Sequence, residues 1–152
     1  MTKIRKFQNK DAKQVADLIR RNDLEVTSLY YPKEVIELWV DELTPEYIIK
    51  KSKNRQCYVA TDNKKIIGYV SFDGSEIKKL FVNPDYHKKG IGRMLINKIE
   101  DFAKAKKIKK LKLDSNLYAE KFYKHVGFKK IKNKYRKVGD KKIKMIYMEK
   151  KL

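Results

Sequence analysis

The sequence predicts an α/β (α+β) fold with a mixed, mostly antiparallel sheet and helices on both faces. Segments with alternating apolar residues, typical of strands, are interspersed with segments of helical periodicity. Their order along the chain is β-α-α-β-β-β-α-β-α-β-β. A helix connects the strand at 76–82 to the strand at 109–113. Such a crossover predicts that these two central strands are parallel.

The N-terminal third contains one predicted strand followed by helices. Its predicted elements are a strand at 2–7, a helix from Asn9 or Lys10 that breaks at Asn22-Asp23, a helix from Pro32, and a short helix from Thr44 through Ile49. Pro32 suits a first helical turn because that turn does not use the missing N–H. Thr44 has the hydroxyl preferred at a helix N-cap.

The remaining elements are separated by turn residues. They are strands at 56–61 and 65–72 around Asp62-Asn63-Lys64, a strand at 76–82, a helix from Ile91 to about Lys107, a strand at 109–113, a helix from Asn116 or Leu117 to Gly127, and a closing hairpin of 128–135 and 142–148. Pro84 ends the central strand because it lacks an N–H. Gly127 fits a helix C-terminus.

The length and composition are those of one folded domain. The chain has 152 residues, 41% of them hydrophobic, which predicts a single domain over residues 1–152. No apolar run is long enough to span a membrane, and the N-terminus lacks the apolar region of a signal peptide. The single cysteine, Cys57, is expected to be a small buried residue. We therefore expect a cytoplasmic protein without membrane association.

Positive charge is concentrated in the second half of the chain. The net charge is +20. Residues 1–76 contain 14 Lys or Arg and 12 Asp or Glu. Residues 77–152 contain 25 Lys or Arg and only 7 Asp or Glu. This distribution would steer a polyanionic ligand, and it would also attract nucleic acid. The alternative is a compositional preference for lysine, with the side chains simply solvated.

The stretch after the central strand has the features of an anion site. Gly90 and Gly92 precede a helix with apolar residues at helical spacing. The first N–H groups of a helix have no internal partner, and the helix dipole is positive at that end. Lys88, Lys89 and Arg93 add formal charge. The pattern predicts a phosphate-binding loop, with an ordinary turn as the alternative.

Two motifs resemble those of the GCN5-related N-acetyltransferases. The run His87-x-x-Gly90-x-Gly92 resembles the family's motif A, although His87 replaces the usual Arg or Gln. The segment 119–128 resembles the family's helix that ends in Phe-Tyr-x-x-x-Gly-Phe, and Asn116 precedes it. The resemblance covers roughly residues 60–135. It implies a GNAT-like sheet whose central parallel strands splay apart, and it implies acetyl-CoA as co-substrate without a metal.

The resemblance assigns most of the candidate site. The residues implied to contact acetyl-CoA are Leu80, Phe81, Val82, His87, Lys88, Lys89, Gly90, Ile91, Gly92, Arg93 and Asn116. Asn116 could equally cap its helix. Tyr123 is suited to protonate the departing thiolate, because a phenol of pKa about 10 stays protonated at neutral pH. A packed core tyrosine is the alternative.

The base and the acceptor pocket are less strongly indicated. The resemblance implies a carboxylate that acts through water at the start of the central strand, which makes Glu76 the candidate base; an exposed turn residue is the alternative. The resemblance implies that the segment with Tyr30, Tyr31 and Trp39 builds the acceptor pocket, where aromatic side chains could hold an amine by packing or cation–π contact. Helix packing explains Trp39 equally well. Acidic residues cluster in the same half: Glu25, Glu34, Glu37, Asp41, Glu42 and Glu46. They favour a basic acceptor, which a pocket lined by lysines would contradict.

These features predict an N-acetyltransferase that moves an acetyl group to a primary amine by direct attack in a ternary complex. The alternatives are a basic module that binds nucleic acid or ribosomes, and an acyl-CoA sensor without turnover. The missing RNA-binding or recognition-helix signature disfavours the first, and Tyr123 with the two glycines disfavours the second. A polyamine, an antibiotic, an amino acid or a protein terminus could be the acceptor. The oligomeric state is open, a homodimer included.

Overall fold

The computed structural model describes residues 1–152 and contains seven strands and five main helices. The strands are β1 (Thr2–Lys6), β2 (Gln56–Asp62), β3 (Lys65–Phe72), β4 (Ile77–Val82), β5 (Lys110–Ser115), β6 (Lys129–Val138) and β7 (Lys141–Lys151). The helices are α1 (Ala12–Glu25), α2 (Lys33–Asp41), α3 (Pro45–Ser52), α4 (Ile91–Ala105) and α5 (Glu120–His125). None of these helices has the length and apolar character needed to cross a bilayer.

The strands form two antiparallel sheets that meet at a single point. One sheet has the order β1-β2-β3-β4 and the other the order β5-β7-β6. Between β4 and β5 there is only one parallel bridge, from Glu76 to Lys112. The predicted parallel pairing of the two central strands is therefore confined to Glu76, the first residue of the predicted strand at 76–82. Beyond Glu76 the strands separate, which leaves a gap at their carboxyl ends.

Apolar side chains cover both faces of the first sheet. The largest core cluster joins α4 to β2, β3 and β5, with Leu95 and Ile99 fully buried. A second cluster packs α1 and α3 on the opposite face, around Val15 and Tyr69. A third, smaller cluster packs α2 against β7. Helices thus lie on both faces, as the sequence predicts.

The predicted break at Asn22-Asp23 is wrong, because α1 continues to Glu25. Both polar residues lie inside the helix and are buried. Asn22 faces the end of β4, where its Nδ2 donates a hydrogen bond to the Val82 carbonyl at 3.2 Å. Asn and Asp side chains favour turns because they compete with the helix for backbone hydrogen bonds. Here Asn22 instead bonds to another part of the chain, so the helix continues through this pair.

Other boundaries also differ from the sequence prediction. The helix α5 begins at Glu120 rather than at Asn116 or Leu117, because a turn occupies the residues between. The β6–β7 hairpin is longer than predicted and turns at Gly139-Asp140, where Gly139 has a φ of +60°. All of β6 except its last residue is exposed, which fits an edge strand rich in lysine.

Tyr31 connects the N-terminal region to the second sheet. Its buried hydroxyl accepts a hydrogen bond from the Leu117 N–H at 2.9 Å and donates one to the Lys144 carbonyl at 2.8 Å. The ring packs edge-on against Trp39. One side chain therefore positions α2 relative to both the β5–α5 turn and β7.

We predict that Tyr31→Phe lowers the free energy of unfolding by about 1–3 kcal/mol, because the Leu117 N–H loses its acceptor. Urea denaturation measures the change. Tyr30→Phe is the matched control, since Tyr30 is 48% exposed and its hydroxyl makes no hydrogen bond. Equal effects of the two substitutions would contradict the bridging role.

Candidate functional site

The glycine loop presents a row of main-chain N–H groups without protein acceptors. Gly90 caps α4 with a φ of +79°, a conformation that favours glycine, and no side chain caps the helix. The first helical bond is from Met94 N–H to the Gly90 carbonyl. The N–H groups of residues 88–93 make no hydrogen bond within the chain. This arrangement suits an anion with several oxygens.

Gly92 allows α4 and α5 to approach each other closely. A Cβ built at this residue would lie 2.8 Å from Cζ of Phe122. A side chain there would require the Phe122 ring to shift. The second glycine therefore lets the Phe122 ring pack directly on the start of α4, whereas Gly90 sets the backbone direction.

His87 closes the loop back onto the end of β4. Its Nε2 lies 3.0 Å from the Val82 carbonyl, and its Nδ1 lies 3.1 Å from the Tyr118 hydroxyl. A carbonyl can only accept, so a neutral His87 donates from Nε2 and accepts at Nδ1. The imidazole therefore positions the loop rather than pointing freely into it.

The register of β4 determines which main-chain groups face the gap. Asn83 N–H donates to the Ile67 carbonyl of the neighbouring chain segment at 2.8 Å. Hydrogen bonding alternates along an antiparallel pair. The main-chain N–H and C=O of Phe81 therefore bond to Tyr69 of β3, whereas the main-chain groups of Leu80 and Val82 point away from β3. The N–H and C=O of Leu80 and the N–H of Val82 remain unpaired at the open edge.

A cavity of about 620 Å³, here called the loop cavity, lies beside the glycine loop. Most of the predicted coenzyme-contacting residues line it: Leu80, Phe81, Val82, His87, Lys88, Gly90, Ile91, Gly92, Arg93 and Asn116. Lys89 does not, and its ammonium instead lies 5.4 Å from the ring centroid of Tyr86. Lys121, on α5, adds a further positive side chain to the wall.

A second cavity, of about 370 Å³ and here called the central cavity, lies on the other side of the gap. Glu76 and Trp39 are on its wall. Tyr30 is not, because its ring lies at the surface against Tyr118, with the ring centroids 5.9 Å apart. The structure therefore brings two of these three predicted residues together.

The two cavities meet at a shared wall. Five residues line both: Leu80, Phe81, Asn116, Ala119 and Tyr123. Asn116 Oδ1 accepts a hydrogen bond from the Ala119 N–H at 2.8 Å, which fixes the turn before α5. Tyr123 is only 6% exposed, and its hydroxyl makes no hydrogen bond. Burial raises the pKa of this phenol, so it carries its proton at neutral pH.

Charges of both signs line the central cavity. Its acidic residues are Asp23, Glu42, Glu76 and Asp114, and its basic residues are Lys51, Arg55, Lys78, Lys79 and Arg136. Of the acidic cluster noted in the sequence, only Glu42 reaches the wall. Three of the basic residues are lysines, and they count against the expectation of a basic acceptor. No cluster of three or more metal-binding side chains is present.

Asp23 is a candidate site residue that the sequence reasoning missed. It is buried on the wall of the central cavity, and burial raises its pKa to about 6. Lys79 and the hydroxyl of Thr27 offset part of this shift, although Thr27 Oγ1 makes no well-formed hydrogen bond. A continuous amphipathic pattern through residue 25 would have placed Asp23 on the inner face of α1.

The fold and the paired cavities define a class of α/β protein in which the sheet splays open beside a glycine loop at the start of a helix. A family model described as an acetyltransferase (GNAT) domain matches residues 26–152. The chain therefore belongs to the GCN5-related N-acetyltransferase family, and the family resemblance of the two sequence motifs is confirmed.

Known relatives support the same fold. The uncharacterized N-acetyltransferase YafP of Escherichia coli is 28% identical over 131 residues, covering 85% of this chain and 82% of that protein. A GCN5-related N-acetyltransferase structure from Rhodopseudomonas palustris has a TM-score of 0.93 at 21% identity. The match covers 100% of this chain and 96% of that one. The PaiA N-acetyltransferase of Thermoplasma acidophilum, solved with coenzyme A, has a TM-score of 0.83 at 23% identity. The match covers 100% of this chain and 99% of that one.

We predict that Asp23→Asn stabilises the protein by about 2–3 kcal/mol at pH 7. Because the folded-state pKa of Asp23 is raised to about 6, the wild type loses stability as the pH rises from about 4 to about 6. The asparagine variant does not lose stability in this way, so the difference in free energy of unfolding between the variant and the wild type should shrink towards pH 4. Urea denaturation across this range measures it.

The matched control is Asp17→Asn on the same helix. Asp17 is about half exposed and pairs with Lys13 and Arg20. Its substitution should be neutral or slightly destabilising at every pH. An Asp23→Asn variant that is no more stable than wild type at pH 7 would contradict the buried, ionised state of this carboxylate.

Proposed function

We propose that this protein transfers an acetyl group from acetyl-CoA to a primary amine by direct attack in a ternary complex. The observation that carries the proposal is the wall shared by the two cavities, with Tyr123 buried in it. A donor in the loop cavity and an acceptor in the central cavity would meet at that wall. Holding both reactants at one wall lowers the entropic cost of the reaction.

The diphosphate of the coenzyme would bind at the glycine loop. The free N–H groups of residues 88–93 and the positive end of α4 favour phosphate oxygens. Lys88, Arg93 and Lys121 supply formal charge on the same cavity wall. The Thermoplasma relative was solved in complex with coenzyme A, which supports coenzyme A as the ligand proposed for this chain.

The pantetheine arm would lie along the open edge of β4. The unpaired main-chain groups of Leu80 and Val82 could pair with its amides as another strand would. The Val82 N–H is then the candidate donor to the tetrahedral oxyanion. Phe81 contributes its side chain to the wall rather than its main-chain groups.

The chemistry needs one proton removed and one proton delivered. The neutral amine attacks the thioester carbonyl carbon, and the C–S bond breaks as the tetrahedral intermediate collapses. The departing thiolate takes a proton from the Tyr123 hydroxyl, and solvent water returns a proton to the phenol once the coenzyme has left. Glu76 would take the amine proton through water, because its side chain lines the central cavity and is 25% exposed. Cys57 lines neither cavity, which disfavours an acyl-cysteine intermediate.

We predict that Tyr123→Phe lowers kcat by about 100-fold or more while the KM for acetyl-CoA changes less than about 3-fold. The phenol acts on the leaving thiolate rather than in ground-state binding. Steady-state kinetics with release of free thiol as the readout measures both constants. Tyr135→Phe, at an exposed position on β6, is the control. Unchanged turnover in Tyr123→Phe would remove this residue from the mechanism.

We predict that Glu76→Gln lowers kcat/KM about 10- to 100-fold at pH 7. The deficit should narrow towards pH 9, because an alkyl amine of pKa about 10 then supplies more of its own free base. A pH–rate profile of both proteins checks this. Glu46→Gln, an exposed carboxylate outside both cavities, is the control. A deficit that does not change with pH would argue for a structural role of Glu76.

The proposal as a whole is tested by calorimetry with acetyl-CoA followed by a screen of amines. We expect acetyl-CoA to bind, and at least one amine to release free thiol in its presence. Binding without turnover over small amines and peptide N-termini would favour an acyl-CoA sensor. Failure to bind any acyl-CoA would overturn the proposal.

A further inference from the structure

Three cationic side chains converge at one end of the central cavity. Lys51 of α3 and Lys79 of β4 each place their ammonium 5.6 Å from the ring centroid of Tyr47. Arg55 is on the same wall, where its Nη1 donates a weak hydrogen bond to Ser71 Oγ at 3.4 Å. None of the three forms an ion pair with a carboxylate of the protein.

The charge of this cluster is only partly neutralised by its surroundings. Lys79 is largely desolvated, and burial together with Arg55 and Lys51 lowers its pKa. Asp23 and Glu42 face it with the opposite sign but make no direct salt bridge with it. A desolvated ammonium whose neighbouring carboxylates form no ion pair with it is unfavourable, and an anionic ligand in direct contact would reduce that cost.

The position of the cluster relates it to the reacting groups. Lys79 and Phe81 are two residues apart on β4, so their side chains lie on the same face about 6.6 Å apart. Phe81 belongs to the wall that both cavities share. An anion at Lys79 would therefore lie a few bonds from an amine that attacks at that wall.

We propose that the central cavity binds the acceptor through an anionic group, a carboxylate or a phosphate ester, held by Lys51, Arg55 and Lys79. This inference rests on the proposed function and specifies its acceptor. The acceptor is a small molecule that carries an amine and an anion on one short skeleton, such as an amino acid or an aminoalkyl phosphate.

The first test compares matched pairs of acceptors. L-amino acids are assayed against their α-amides, and ethanolamine phosphate against ethanolamine, with free thiol as the readout. We expect the anionic member of at least one pair to have a kcat/KM about 10-fold or more higher. The pair that shows selectivity distinguishes carboxylate from phosphate. Acetylation of neutral amines without such selectivity would overturn the inference and leave the proposed function intact.

The second test does not need turnover. Calorimetry in the presence of coenzyme A measures binding of N-acetylated amino acids, their amides, and N-acetylethanolamine with and without its phosphate. Lys79→Met should weaken binding of the anionic ligand about 10-fold, whereas Asp23→Asn should strengthen it at least about 3-fold. Opposite effects at two neighbouring residues are expected of an electrostatic role and not of a general loss of packing.

Lys50→Met is the matched control. Lys50 is exposed on α3, next to Lys51 in the sequence, and does not line the central cavity. Its substitution should leave both selectivity and ligand affinity unchanged. Equal binding of anionic and neutral ligands by the wild type would overturn the inference even if no acceptor were acetylated. Absence of both turnover and acyl-CoA binding would refute the proposed function itself.

Discussion

The separation of β4 from β5 is the constraint on which the rest of the structure depends. The Glu76–Lys112 bridge is the only β-bridge between the two strands, and no ladder of hydrogen bonds continues beyond it. Their divergence leaves main-chain groups of Leu80 and Val82 without strand partners and opens the space that becomes two cavities. Unpaired backbone groups are unfavourable when buried, so this edge is stable only while water or a ligand can reach it.

Local sequence signals were sufficient for most of the fold and for the position of the glycine loop before α4. Gly90 and Gly92 each have a short-range reason to be glycine, one a left-handed φ and the other a close helix contact. The acceptor side was harder, because its residues come from α1, α2, α3 and β4 and meet only in the folded chain. Asp23 was missed for this reason, and Tyr30 was placed in a cavity from which its outward orientation excludes it.

Net charge was a poor guide to the local electrostatics of the site. The first half of the chain is nearly neutral in sum, yet Lys51 and Arg55 of that half join Lys79 in one cluster. The acidic residues counted beside them in the sequence are mostly on outward faces, and only Glu42 reaches the cavity. Conversely, the most basic strand, β6, is almost entirely exposed and lies at the sheet edge. Distribution in space, rather than the sum, determines what a cavity attracts.

Asp23 and Lys79 are arranged in a way that the fold alone does not require. Each is desolvated, and burial shifts the pKa of each towards its neutral form, yet the two make no direct ion pair. A chain selected for stability alone would replace such residues with apolar ones, which often stabilises a protein. Perturbed ionisable groups that line a cavity are typical of sites where binding or catalysis has a use for them. Under the proposed acceptor assignment, the unfavourable solvation of Lys79 becomes binding energy when an anionic group enters, whereas Asp23 opposes that group through its like charge.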